Sequence, residues 1–240
     1  MAKQFTSRNL VYTDLEIVDY QEAWDLQHSV FNARLKNEID DQLFLLEHPH
    51  TYTLGKTADK ANLIGDNEFL SKYKIMVYDI DRGGDITYHG PGQIVGYSIL
   101  DLKNWRMDTH KYLRALEEVI IKVCAHYGLI TGRKEGLTGV WIDDRKICAL
   151  GIKVSRWITM HGFAFNVNTN LDLFQGIIPC GINDKEVTSL KSELGRKLDL
   201  NEVKQLIVQY FKEVFSFESI HKGSRNELLA MMNEKTREQE

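Results

Sequence analysis

The sequence predicts one α+β domain in which a mixed, largely antiparallel sheet is sandwiched with helices. Three observations carry that expectation. Three segments repeat apolar residues at helical spacing, and short apolar runs of strand type outnumber them. Several of those runs follow one another with no helix between, unlike the alternation of a doubly wound parallel sheet. The 240 residues show no internal repeat and no low-complexity linker, and the prolines, Pro49, Pro91 and Pro179, lie in short segments bearing glycine or histidine. The expected division is a domain over residues 1–220 and a charged tail over 221–240.

Leu10 to Val18 reads as the first strand. Asp19 and Glu22 have capping-box spacing, and the helix they open carries Ala23, Trp24, Val30, Phe31 and Leu35 on one face. Gln42 to Leu46 is a short buried strand. Two further apolar runs, Ile75 to Ile80 and Ile94 to Leu100, flank a glycine-rich loop. A long helix is expected from Thr109 to Tyr127, where Leu113, Leu116, Ile120, Val123 and Tyr127 recur and Gly128 is a stop. Thr138 to Ile142 and Lys146 to Val154 form a hairpin around Asp143-Asp144-Arg145, and Ile158 to Val167 is a further strand. Asp199, with Glu202 three residues on, opens a last helix with Val203, Leu206, Ile207, Tyr210, Phe211 and Val214 on one face. The tail from His221 is expected to fray or to dock loosely as a helix.

Bulk properties narrow the function. A net charge of −4 argues against nucleic acid as the main partner. No apolar run approaches the roughly 20 residues that span a membrane, and Met1-Ala2-Lys3-Gln4-Phe5 lacks a signal-peptide core. A cytoplasmic protein with no membrane partner is expected. Cys124, Cys148 and Cys180 are an odd number without paired spacing, so neither a disulfide framework nor a zinc knuckle is indicated.

The stretch Arg82-Gly83-Gly84-Asp85-Ile86-Thr87-Tyr88-His89-Gly90-Pro91-Gly92-Gln93 holds four glycines in twelve residues. Glycine lets a ligand approach the main chain closely, so a loop of this composition between two strands is a place for a substrate or an acyl carbonyl. It lacks a Walker lysine-serine pair and does not match a dinucleotide fingerprint. The His48-x-His50 pair has no further ligand at convincing spacing, so no metal is expected. No cofactor is expected either.

Cys180 sits between Pro179 and Gly181, a stiff turn that suits a nucleophile, whereas Cys124 and Cys148 fall inside apolar segments and suit the core. A thiol is only a few per cent thiolate at neutral pH, so it needs a base or cation nearby. His89, His161 and Lys146 each suit that role. Lys146 begins the apolar run Ile147 to Ile152, where it would lose hydration; by position alone it also reads as a solvated hairpin residue. In His161-Gly162-Phe163-Ala164-Phe165-Asn166 small and large residues alternate, which leaves room for a ligand but equally fits core packing.

Together these residues resemble the lipoyl(octanoyl) transferases of lipoate biosynthesis. The matching pieces are Arg82-Gly83-Gly84 with Thr87 to Gln93, then Gly139-Val140-Trp141, Lys146 with Gly151-Ile152, Pro179-Cys180-Gly181-Ile182, and Thr188-Ser189, within about residues 40 to 215. The resemblance implies the fold of the lipoate and biotin protein ligase catalytic domains. It implies an octanoyltransferase that moves an octanoyl or lipoyl group from acyl carrier protein to a lysine of a lipoyl domain, through a thioester intermediate. The implied acceptors are the lipoyl domains of 2-oxo-acid dehydrogenases and the glycine cleavage H protein. By motif position Cys180 is the implied nucleophile and Lys146 its partner. Arg82, Gly83, Gly84, Asp85, Ile86, Thr87, Tyr88 and His89, with Ala149, Leu150, Gly151, Gly162, Phe163 and Ala164, would line the acyl site. The charged tail has no counterpart in this pattern.

Two alternatives remain at the level of sequence. An ATP-dependent lipoate–protein ligase would use the same fold and need no cysteine, and the Pro-Cys-Gly turn speaks against it. A non-catalytic module that binds the carrier or lipoyl domain would need neither Cys180 nor Lys146. Because both implied partner proteins are acidic as a rule, a basic rim is expected from Lys56, Lys60, Lys72, Lys153 and Arg156.

Overall fold

The computed structural model describes residues 8–178, 186–226 and 228. The first strand, β1 (Asn9–Ile17), leads into α1 (Tyr20–Leu35), whose start is fixed by the Asp19 carboxylate accepting from the Gln21 N–H at 2.9 Å. Then come β2 (Asp41–Glu47), β3 (Thr51–Leu54), α2 (Asn67–Tyr73), β4 (Met76–Asp79), β5 (Ile86–His89) and β6 (Gln93–Ile99). The amphipathic α3 (Thr109–His126) ends before Gly128, which adopts φ +77°. The second half holds β7 (Gly132–Lys134), β8 (Leu137–Ile142), β9 (Arg145–Ser155), β10 (Ile158–Asn166), α4 (Leu190–Leu194), α5 (Leu200–Phe215) and β11 (Ser219–Lys222).

Eight strands form one sheet in the order β11-β1-β2-β6-β10-β9-β8-β7. The first three are parallel to one another and the remaining pairings are antiparallel, so the sheet is mixed. Strand alternation buries both faces. Leu43, Leu45, Phe163 and Phe165 face α3 and α5, while Phe44, Leu46, Val95 and Met160 face α1. A three-stranded sheet, β4-β3-β5, packs with α2 and a 3-10 turn (Leu171–Gly176) around Tyr52, Tyr88, Ile86 and Phe174.

Four elements differ from the sequence reading. The glycine-rich segment is not one loop: β5 runs through it and pairs antiparallel with β3. The hairpin turn is shorter than expected, because Arg145 already belongs to β9 and Asp143 takes φ +50°. His221 and Lys222 lie in β11, paired parallel with β1, rather than in a loose tail. The short α2, capped by Asp66, was not foreseen.

Candidate active site

One cavity of about 540 Å3 opens between the two sheets, within the range of small-molecule sites. Its walls come from the loop after β4, from β5, and from the paired strands β9 and β10 of the larger sheet. The sequence-predicted residues Arg82, Gly83, Gly84, Asp85, Ile86, Thr87, His89, Ala149, Leu150, Gly151, Gly162, Phe163 and Ala164 all line it, with Lys146. Tyr88 does not. It packs edge-on against Tyr52 and Phe174 in the small-sheet core, and its hydroxyl meets His50 Nδ1 at 2.8 Å.

The glycine loop is tied down by its own backbone. The Gly83 N–H donates to Ile152 O at 3.0 Å, and the Lys56 N–H donates to Arg82 O at 3.0 Å. A Cβ on Gly55 would sit 2.2 Å from Gly84 O, and one on Gly151 would sit 2.8 Å from Arg82 Cδ, so both glycines are required for this close approach. The buried Arg82 guanidinium donates to Thr53 O at 2.8 Å and to Thr53 Oγ1 at 2.9 Å.

His89 is held neutral. Gln93 Nε2 donates to Tyr88 O and to Asn166 Oδ1, each at 3.0 Å, which turns Gln93 Oε1 to accept from His89 Nδ1–H at 2.9 Å. Burial, then His48 and Arg82 nearby, push the His89 imidazole well below its ordinary range. His48 is likewise buried. Its Nδ1–H donates to Val18 O at 2.7 Å, Tyr97 Oη lies 2.8 Å from Nε2, and burial lowers its pKa to about 4. His48 and His50 therefore have separate partners. Among the described residues, no three His, Cys, Asp or Glu side chains cluster to hold a metal.

His161 has φ +60° inside β10, and its N–H donates to Gln27 Oε1 at 2.8 Å. Its Nε2–H donates to Asp81 Oδ1 at 2.8 Å, while Lys153 pairs with the other oxygen. The His161 hydrogen bond, with Lys153, holds the Asp81 carboxyl well below the usual carboxylate range. This pair clamps the residue just before Arg82 onto β9 and β10. Sequence reasoning did not single out Asp81, nor the cavity-lining Tyr20, Tyr97, Leu113, Leu137, Thr138 and Val187. Spacing along the chain carries little sign of these, because they arrive from several different elements, with Leu137 and Thr138 both from β8.

Lys146, which lines the cavity from β9, is the cross-strand partner of Trp141, and its Nζ stands 4.8 Å from the indole centroid. Its main chain is bound on both sides. The Lys146 N–H donates to Glu186 O at 2.8 Å, and the Thr188 N–H donates to Lys146 O at 3.0 Å. Ile178, at the other described edge of the gap, donates its N–H to Asn62 O at 2.8 Å. Cys180 lies outside the described residues. Cys124 and Cys148 are buried core thiols; burial pushes Cys124 up to about 12 and Cys148 upward too.

Of the residues expected at a basic rim, Lys153 is engaged with Asp81, Lys60 with Asp79 at 3.7 Å, and Lys72 with the Tyr73 ring at 5.0 Å. No described helix is long and apolar enough to cross a membrane.

The two-sheet architecture is shared with solved lipoate protein ligases. The bipartite lipoate protein ligase of Thermoplasma acidophilum superposes with a TM-score of 0.70 over 95% of this chain and 92% of its own, at 15% identity, which speaks to fold alone. Residues 19–212 match the lipoyl protein ligase A/B catalytic domain family, and the chain belongs to it. Within that family its relatives include octanoyltransferases. That of Christiangramia forsetii is 49% identical over 91% of this chain and 98% of its own length. That of Rubrobacter xylanophilus is 51% identical over 82% and 90%. The protein is thus an acyltransferase of the octanoyltransferase group.

Proposed function

We propose that the protein transfers an octanoyl group from acyl carrier protein to a lysine of a lipoyl domain, with Cys180 as nucleophile and Lys146 as its proton partner. The observation that supports this reading is the cavity itself, lined by Gly83, Gly84, Ala149, Gly151, Gly162 and Ala164 and, as the one lysine among the described lining residues, by Lys146. Small residues on the neighbouring strands β9 and β10 leave width for an alkyl chain, and an amine suits the place where acyl chemistry occurs.

In the first half-reaction the Lys146 amine takes the Cys180 proton and the sulfur attacks the thioester carbonyl. The new C–S bond forms, the carrier's C–S bond breaks, and Lys146 returns the proton to the departing thiolate. One thioester replaces another, so no ATP is needed. In the second half-reaction the acceptor lysine's neutral amine attacks the acyl-enzyme. The C–N bond forms, Cys180 leaves as thiolate, and the surplus proton on nitrogen passes to Lys146. Main-chain N–H groups near Gly181, or of the glycine loop other than that of Gly83, which donates to Ile152 O, suit the oxyanion, and one such donor is worth about 3 kcal/mol. The acceptors on this reading are lipoyl domains of 2-oxo-acid dehydrogenases and the H protein of glycine cleavage, and the setting is the cytoplasm.

Intact-protein mass after mixing with octanoyl-acyl carrier protein, without ATP, tests it. An octanoyl gain on the natural protein that hydroxylamine or apo lipoyl domain removes, and that Cys180→Ala lacks, is expected. Turnover that requires ATP and free octanoate would move the activity to a ligase.

A further inference from the structure

Resting on the reading of Lys146 as the reacting amine, we propose that Trp141 is its positioning residue: the indole face of β8 holds the lysine's ammonium end at the cavity. Three independent features converge on that pair. The ladder between β8 and β9 shifts register between Val140 and Trp141, and it is this bulge that puts Trp141 directly across from Lys146. Bulges re-aim side chains and recur beside active sites. The Lys146 ammonium then stands 4.8 Å from the ring centroid, inside the roughly 6 Å over which an aromatic face attracts a cation.

Gly139 supplies the space. It takes φ +137°, and a Cβ there would meet Cys148 O at 2.9 Å, Lys146 Cε at 3.3 Å and Trp141 Nε1 at 3.4 Å. The stem of the lysine and the edge of the indole thus meet where any side chain at position 139 would intrude.

Glu117 fixes that glycine. Its carboxylate is buried on α3, accepts from the Gly139 N–H at 3.0 Å, and is neutralised by Arg114 at 2.7 Å and Arg133 at 2.9 Å. A buried carboxylate facing a main-chain N–H is costly unless each partner is in place. Here it ties α3 to the slot of β8 over which Lys146 lies. Among the described residues Lys134 also approaches the ring, 5.4 Å from the centroid and paired with Asp144, and one residue along β9 Arg145 pairs with Glu193 at 2.7 Å.

The role is electrostatic and geometric, so it can be separated from packing. Replacing the four tryptophans by tryptophan with one, two or three ring fluorines keeps the indole shape and progressively weakens its attraction for a cation. With octanoyl-acyl carrier protein as donor, kcat should fall in step with fluorine number, reaching about 3- to 30-fold for the trifluorinated protein. KM and the thermal midpoint should stay near their natural values. In Trp141→Phe the dependence on fluorination should vanish, which assigns the effect to this ring and not to Trp24, Trp105 or Trp157. A kcat that ignores fluorination, while Lys146→Ala is inactive, overturns the positioning role alone. Turnover by Lys146→Ala would instead overturn the reading on which it rests.

Discussion

A single hydrogen atom at position 139 decides whether the lysine end of the cavity can form. Gly139→Ala would place a methyl group 2.9 Å from Cys148 O in a backbone conformation that favours glycine. We expect a stability loss of about 1–3 kcal/mol in urea titration, together with a fall in kcat larger than any change in KM. His48 makes a second residue-scale prediction, about pH. Its folded imidazole is lowered to about 4 by burial, while an unfolded one titrates near about 6.5. Below that value the unfolded chain binds a proton that the folded chain refuses. Stability is therefore intact above about pH 6.5 and falls as the pH drops toward 4, by up to about 1.4 kcal/mol per unit. His89, lowered also by burial, acts with the same sign. Urea midpoints at pH 7.5 and 5 measure this. His48→Gln should flatten the slope, and an unchanged midpoint in the natural protein would contradict it.

At the scale of elements, caps and short strands behave differently. The α5 start rests on Asp199, whose carboxylate accepts from the Asn201 N–H at 2.8 Å. Asp199→Ala should cost about 1 kcal/mol, a shift of about 2–4 °C in the melting temperature. Asp19, Asp199 and Gly128 were legible in the sequence because a cap is local chemistry, written within a few residues. The glycine-rich segment from Arg82 to Gln93 also stood out, since a positive φ such as that of Gly84 favours glycine. β5 was hidden because its four residues lie between glycines, and its pairing with β3 is a tertiary fact. β11 was hidden because His221 and Lys222 look solvated, yet an edge strand needs only main-chain partners. The turn of Tyr88 away from the cavity, into the small-sheet core, was missed for the same reason. Which face of a strand looks into a cavity depends on the strand's partner, not on its own composition.

Across the whole molecule, on the proposed reading, the surface receives two different proteins in turn. Of the rim cations, Lys56 adjoins the cavity-lining Thr57, whereas Lys153 already serves the Asp81 clamp. Lys56→Glu should raise KM for the carrier protein, and the rise should shrink as salt is added, with single-turnover acyl transfer unchanged. Lys153→Glu should behave otherwise, because it would place two carboxylates together at the root of the glycine loop. Its kcat should fall at any salt concentration.

The eight-stranded sheet joins the beginning of the described chain to its far end. β1 lies between β2 and β11, and Arg8 reaches Phe215 O at 2.6 Å across more than two hundred residues of sequence. During synthesis, then, β1 emerges early but has one bare edge until Ser219–Lys222 leaves the ribosome. For most of translation that edge is a template for a neighbouring nascent chain. A stop codon placed just before Ser219 would spare every residue that lines the cavity, yet it should deliver the protein to inclusion bodies rather than to the soluble fraction.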